Sequence, residues 1–120
     1  MDADSQNEGW KDVPSVAVGR WRELFDLSRE GLNLSAACPV CGATRLHRWF
    51  DLNRAEPSWE FGRTWIGRGS QWQWCSSCRS YEHTSGLVPD WWFSDLPVSP
   101  ESLRHDPGPV EEVRSASSGS

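Results

Sequence analysis

Residues 71–83 read QWQWCSSCRSYEH, and together with residues 38–42, CPVCG, they hold all four cysteines of the chain. A two-residue gap lets both sulfurs of a tight turn point at one ion while turn amides donate to them, and two such turns complete a tetrahedral thiolate site. The 33 residues between Cys41 and Cys75 exceed the common spacing of about 15–20. They leave room for a strand, a loop and a hairpin. The expected ligands are therefore Cys38, Cys41, Cys75 and Cys78, around one structural Zn2+.

Two other chemistries use paired cysteines. A dithiol oxidoreductase needs one reactive pair at a helix N-terminus, whereas this chain has two pairs, and the flanks QWQW and RSYEH are strand-like. An iron site for electron transfer, as in rubredoxins, takes the same four ligands, but the block between the knuckles here is longer, Arg-rich and hairpin-like. Zinc with four thiolates keeps no position for water, so the expected site holds the fold and the chain is read as a non-enzyme. His47 and His83 flank the knuckles, and His83 beside Glu82 is the acid–base candidate. No serine or further cysteine stands in a nucleophile motif.

The CPVCG knuckle, with Pro39 after the first cysteine and Gly42 after the second, resembles the zinc-ribbon superfamily from Cys38 to roughly Val88. The resemblance implies knuckles at the ends of β-hairpins that the metal clamps together, with ligation by Cys38, Cys41, Cys75 and Cys78. It implies no activity, because the same fold serves transcription factors, ribosomal proteins, enzyme subunits and adaptors.

Outward from the knuckles, Leu46, Arg48, Phe50 and Leu52 share one strand parity, and His47, Trp49 and Asp51 share the other. Pro57 marks residues 53–58 as a loop. Two strands follow, WEFGRTWI and SQWQWC, with the hairpin turn expected at Gly67-Arg68-Gly69. A two-residue turn at Arg68-Gly69 would set Trp65 opposite Trp72 and Arg63 opposite Trp74. After the second knuckle, RSYEHTSGLVP alternates as a last strand, with Arg79, Tyr81 and His83 on one parity.

Upstream, Ala17, Trp21, Leu24, Phe25 and Ser28 recur at three- and four-residue steps, which predicts an amphipathic helix of roughly four turns. Asp12 or Ser15 is its expected cap, and Gly31 its expected C′ residue with Arg29 in the last turn. The expected architecture is a small α+β, zinc-ribbon-like domain over residues 13–96. A disordered lead of residues 1–12, in which Trp10 has the option of docking, precedes it. A flexible tail of residues 97–120, with one helical turn at Glu101–Arg104, follows.

The hydrophobic share is 37%, yet nine residues are Trp, so a small core built on large aromatics is expected. No apolar run approaches the ~18 residues of a membrane span. The acidic start MDADSQNEGW is unlike a signal peptide, and the chain reads as cytoplasmic, where paired cysteines favour metal over disulfides.

The net charge is −5, spread unevenly: residues 38–92 carry six Arg against five acidic residues, while both flanks are acidic. Trp72 and Trp74 either fill the gap against Trp21 and Phe25 or form an exposed surface. Neighbouring Trp91 and Trp92 on an extended segment point opposite ways, which favours one of them staying exposed.

Acidity with aromatic and Arg anchors points to a monomeric protein-interaction module for a basic partner, such as a neutraliser of the immunity or antitoxin type. Its candidate contacts are Arg63, Trp65, Trp72, Trp74, Arg79, Tyr81, Trp91 and Trp92. The alternative is nucleic-acid binding through Arg45, Arg48, Arg63, Arg68 and Arg79 with aromatic stacking.

Overall fold

The computed structural model describes residues 9–28, 30–89 and 96–118, with backbone only at 53, 54, 117 and 118. The elements are β1 (Lys11–Asp12), α1 (Ser15–Leu27), β2 (Leu46–Glu60), β3 (Arg63–Cys75), β4 (Ser80–Pro89), a 3-10 turn (Pro100–Ser102) and α2 (Gly108–Ser118). The strands form one mixed sheet in the order β1-β4-β3-β2, in which β1 runs parallel to β4 and the other pairs are antiparallel. The small α+β architecture read from the sequence is what the chain adopts. Each sheet face is covered by one helix.

Strand alternation decides which side chains meet which helix. Leu46 and Cys75 are partners across β2 and β3, and they pack with Trp21 and Phe25 of α1 and with Val13, Leu34 and Cys38. His47 opposite Trp74 and Trp49 opposite Trp72 point the other way, where Trp10, Tyr81 and Val110 of α2 complete a second core. Trp72 and Trp74 are thus core residues, but they pack under the C-terminal helix and not against Trp21 and Phe25.

The hairpin turn differs from the expected one. It falls at Phe61-Gly62, and Gly67-Arg68-Gly69 lies inside β3 opposite Arg54, Ala55 and Leu52. Consequently Trp65 pairs with Ser58, Trp72 with Trp49 and His83, and Arg63 with Glu60. The two glycines serve a different purpose: a β-carbon at Gly69 would collide with the Asp51 carbonyl, and Gly67, at φ 156°, sits where the register shifts. Close backbone approach and a bulge are the two reasons a strand interior takes glycine. The expected loop at 53–58 is likewise strand, irregular between Leu52 and Ser58.

α1 begins after Pro14 without a side-chain cap, since Asp12 is in β1 and Ser15 is already helical. It ends at Leu27, earlier than Gly31 would place it, and Arg29 lies outside the described residues. Arg48 explains the early end. Arg48 is 4% exposed, and its guanidinium donates from Nη1 to the Phe25 carbonyl (2.8 Å) and from Nη2 to the Ser28 carbonyl (2.8 Å) and to that of Glu30. A cation from the sheet thereby serves the carbonyls that a helix end leaves without partners. Burial pulls its pKa down to about 10, so it stays charged at neutral pH.

The described residues 97–118, expected as a flexible tail, pack against the sheet. Trp72 Nε1 donates to the Arg104 and His105 carbonyls (both 3.1 Å), Trp74 Nε1 donates to Glu111 Oε1 (2.8 Å), and Tyr81 Oη lies 2.8 Å from His105 Nδ1. Asp106 accepts the Gly108 amide at the start of α2 (2.8 Å), and Val110 is fully buried. The polar groups of this segment meet the polar edges of Trp72 and Trp74. The expected helical turn at Glu101–Arg104 appears as the 3-10 turn, offset by one or two residues. At the other end Trp10 docks, 3% exposed, and Lys11–Asp12 pair with β4, so the ordered chain starts before residue 13; residues 1–8 lie outside the described residues.

Removing residues 104–120 is therefore expected to bare Trp72 and Trp74 and to lower stability by several kcal/mol, about 3 or more for the aromatic surface exposed. Denaturant unfolding with the tryptophan emission maximum as a second readout checks this. A truncated chain with unchanged midpoint and emission would show that the helix contributes nothing to the core.

Candidate metal centre

The four cysteine sulfurs converge at one point of the fold, all within 4.8 Å of one another. Cys41 Sγ lies 3.7 Å from Cys75 Sγ, and Cys38 Sγ lies 3.9 Å from Cys78 Sγ. Tetrahedral zinc with bonds of about 2.3 Å separates its sulfurs by about 3.8 Å. The thiols are free and not paired as disulfides. The first knuckle stands just before β2 and the second connects β3 to β4, so a shared ion ties the start of the sheet to its central hairpin.

Both knuckles use the same local device. The residue after the second cysteine adopts a left-handed backbone in each case, Gly42 at φ 84° and Arg79 at φ 64°. In the first knuckle the turn closes through Gly42 N–H to the Cys38 carbonyl (2.8 Å), and the Val40 amide donates to Cys38 Sγ (3.3 Å). The second closes through Arg79 N–H to the Cys75 carbonyl (2.9 Å). Glycine takes this conformation freely, whereas Arg79 is held in it. The Arg79 carbonyl accepts from Lys11 N–H (3.0 Å), and its guanidinium lies 4.9 Å from the Trp10 ring centroid.

Burial and the turn amides act on the thiols in opposite directions. Burial pushes the Cys75 thiol up to about 12 and raises Cys38, while the Ala43 amide brings the exposed Cys41 down to about 7. Buried sulfurs become thiolates when a positive charge offsets their desolvation. Four soft sulfur donors within 4.8 Å of one another, two pairs of them near the tetrahedral separation, fit one structural Zn2+, held by Cys38, Cys41, Cys75 and Cys78. The arrangement is compatible with a zinc-ribbon-like motif. When bound, such an ion supplies cross-linking and leaves no coordination position open.

His47 supports the second knuckle from behind. It is buried, with Nδ1 2.8 Å from Asn33 Oδ1 and Nε2 3.2 Å from Ser76 Oγ. Burial, reinforced by Arg114, depresses its pKa to about 4. The unfolded chain, with a histidine near 6.5, binds more protons between those two values, so the stability from neutral His47 is present above pH 6.5 and lost as pH falls toward 4. From pH 7 to pH 5 the expected loss from this residue is about 2 kcal/mol. Unfolding of the wild type against His47→Gln at both pH values isolates it, because the thiolates are common to both chains. Equal pH slopes would show that His47 is not held neutral.

The other sequence-derived candidates do not form one surface. Trp72, Trp74 and Tyr81 are buried under α2. Arg63 lies 5.3 Å from the half-buried Trp65 ring on the α1 side of the sheet, in a cleft of about 170 Å3. Arg79 sits against Trp10, and Trp91 and Trp92 lie outside the described residues. His83 stacks on Trp72 (4.4 Å), whereas Glu82 faces the opposite way to pair with Arg22 (Nε–Oε2 2.8 Å), so the acid–base pair imagined from adjacency does not form. Exposed Trp59 and Phe61 were not among the candidates; the isolated Gly62 in an otherwise alternating run was the available signal for the turn that displays them.

Compared with protein-family models, with curated proteins and with solved structures, the chain matches none. Among the described residues no helix is long and apolar enough to cross a membrane.

Proposed function

We propose that this chain is a non-enzymatic protein-interaction module whose scaffold is clamped by one zinc ion. The observation that carries the reading is the convergence of four cysteine sulfurs within 4.8 Å, a donor set that fills a tetrahedral ion and leaves no site for substrate or water. Net acidity of −5 on 120 residues supports a basic protein as the partner, and neutralisation of such a protein, as by an immunity protein or antitoxin, is the role that charge and size favour. The free module is a cytoplasmic monomer in this reading.

Nucleic-acid binding has less to stand on. Arg48 is committed to helix carbonyls, and the Trp72–Trp74 stacking platform is covered. The test is a pull-down with the zinc-loaded, full-length chain, with metal analysis on the same sample and a low-salt oligonucleotide titration beside it. Retention of a basic protein in a defined ratio supports the proposal. Salt-sensitive oligonucleotide binding with no protein retained would replace it with the nucleic-acid alternative.

A further inference from the structure

The chain between the 3-10 turn and α2 meets the sheet at a pair of histidines that the metal centre does not use. His83 of β4 stacks on Trp72, with ring centroids 4.4 Å apart and planes within 20°, and the His105 ring lies 5.0 Å from that of His83. Tyr81 Oη is 2.8 Å from His105 Nδ1, and the Arg104 and His105 carbonyls accept the Trp72 indole N–H. Trp72, Tyr81 and His83 of the sheet thus hold Arg104 and His105, with two titratable rings at the centre of the contact.

Neutral rings suit this packing and charged ones do not. His83 is half-buried, and its Nδ1 is a buried atom without a hydrogen-bond partner. A charged imidazole carries a proton on both nitrogens, so Nδ1 would become a buried donor with no acceptor. Burial and the neighbouring His105 oppose a charge on His83, the His105 backbone favours it, and the balance holds the His83 pKa below its ordinary 6.5. The charged groups around the pair do not supply the missing acceptor. Asp106 accepts from Arg104 and the Gly108 amide, and Glu111 accepts from Trp74 and Arg114. Asp12 of β1 pairs in register with Tyr81, while on β2 Asp51 lies opposite Ser70 and His47 opposite Trp74.

From this geometry we infer that His83 and His105 form an acid-sensitive latch: protonation of the pair loosens residues 103–107 from the sheet and uncovers Trp72. Two imidazolium rings at 5.0 Å repel each other, and lifting the segment separates them and opens His83 Nδ1 to water. The open state, with a histidine near 6.5, binds more protons than the closed one. Closure therefore keeps its full stability above pH 6.5 and weakens as the pH falls, by at most about tenfold per pH unit for the proton on His83.

The test measures exchange of indole N–H groups by NMR in the zinc-loaded, full-length chain at about pH 7.5 and about pH 5.5, with rates corrected for their intrinsic pH dependence. Trp72 Nε1 reports the latch, and Trp21 Nε1, buried in the α1-side core, reports opening of the whole domain. Protection of Trp72 is expected to fall up to about tenfold at the lower pH while that of Trp21 holds. In His83→Gln the Trp72 response is expected to vanish, to within about twofold. In His105→Gln, which removes an exposed ring and keeps an acceptor for Tyr81, it is expected to shrink to about threefold. His47 is present in all three chains and cancels from the comparison.

Unchanged protection of Trp72 in the wild type would overturn the inference, as would a parallel loss at Trp21, which would make the transition global. So would a wild-type pH response retained in both variants. Titration of the His83 ring in the wild type is a check that needs no substitution: a midpoint below 6.5 is expected, and one at or above 6.5 would remove the latch.

Discussion

Chelation of the metal is expected to unfold this protein outright. Structural zinc in small domains contributes an apparent ~10–16 kcal/mol at neutral pH, which matches or exceeds the ~5–15 kcal/mol that a whole domain of this kind has available. The site's place in the fold supports the upper consequence. Cys38 and Cys75 belong to the same core as Trp21, Phe25 and Leu46, so losing the ion leaves buried sulfurs at the centre of the α1 side without a cross-link.

With a strong chelator, the cooperative unfolding transition should disappear and tryptophan emission should move to the red. Re-addition of zinc should restore both. Cys75→Ala, at a fully buried ligand, is expected to behave like the chelated chain. Cys41→Ser, at the exposed ligand, is expected to retain a weaker site that releases zinc at lower chelator concentration. A chelated chain that melts with the midpoint of the zinc-loaded one would show that the cysteines do not hold the fold. Visible absorption and one iron per chain in the isolated protein would replace zinc with an iron centre.

The second large effect is expected at Arg48. Replacing it by Met removes the donors for the Phe25 and Ser28 carbonyls at the end of α1 and for the Glu30 carbonyl just beyond it, and is expected to cost about 3–5 kcal/mol. Arg48→Lys should recover only part of this, because one ammonium cannot reproduce a planar fork that reaches four carbonyls. Arg68→Ala, at an exposed position in β3, is expected to stay within about 0.5 kcal/mol. Urea unfolding of the three variants at pH 7 measures the contrast. Equal effects at Arg48 and Arg68 would mean that the buried guanidinium does not support the helix end.

The same residue shows where reading the chain as a string stops. An arginine on an apolar strand parity looks like a surface charge available to phosphate. In the fold it is a substitute cap, because its partner carbonyls lie some 20 residues away. Gly67 and Gly69 mislead for a related reason. Glycine in a sequence signals permissive backbone, but a turn, a bulge and a close strand approach all use that permission, and only the neighbouring Asp51 carbonyl tells them apart.

The C-terminal segment is the clearest such case. Its Pro, Ser and Gly content reads as a tail. Trp72, Trp74 and Tyr81 instead meet its polar groups: their N–H and O–H edges need partners, and the Arg104 carbonyl, Glu111 and His105 supply them. Those three contacts join the C-terminal segment to the second core.

What the sequence determined by itself is what depends on short range. Two Cys-x-x-Cys turns specify four converging sulfurs, three- and four-residue spacing specifies a helix burying Trp21 and Phe25, and alternation after Leu46 specifies which side chains share a face of the sheet. These follow from bond geometry within a few residues. The turn at Phe61-Gly62, the cap from Arg48 and the helix over Trp72 and Trp74 were decided only by tertiary structure. Each depends on which distant backbone group comes within hydrogen-bond or van der Waals reach, and no local pattern carries that distance.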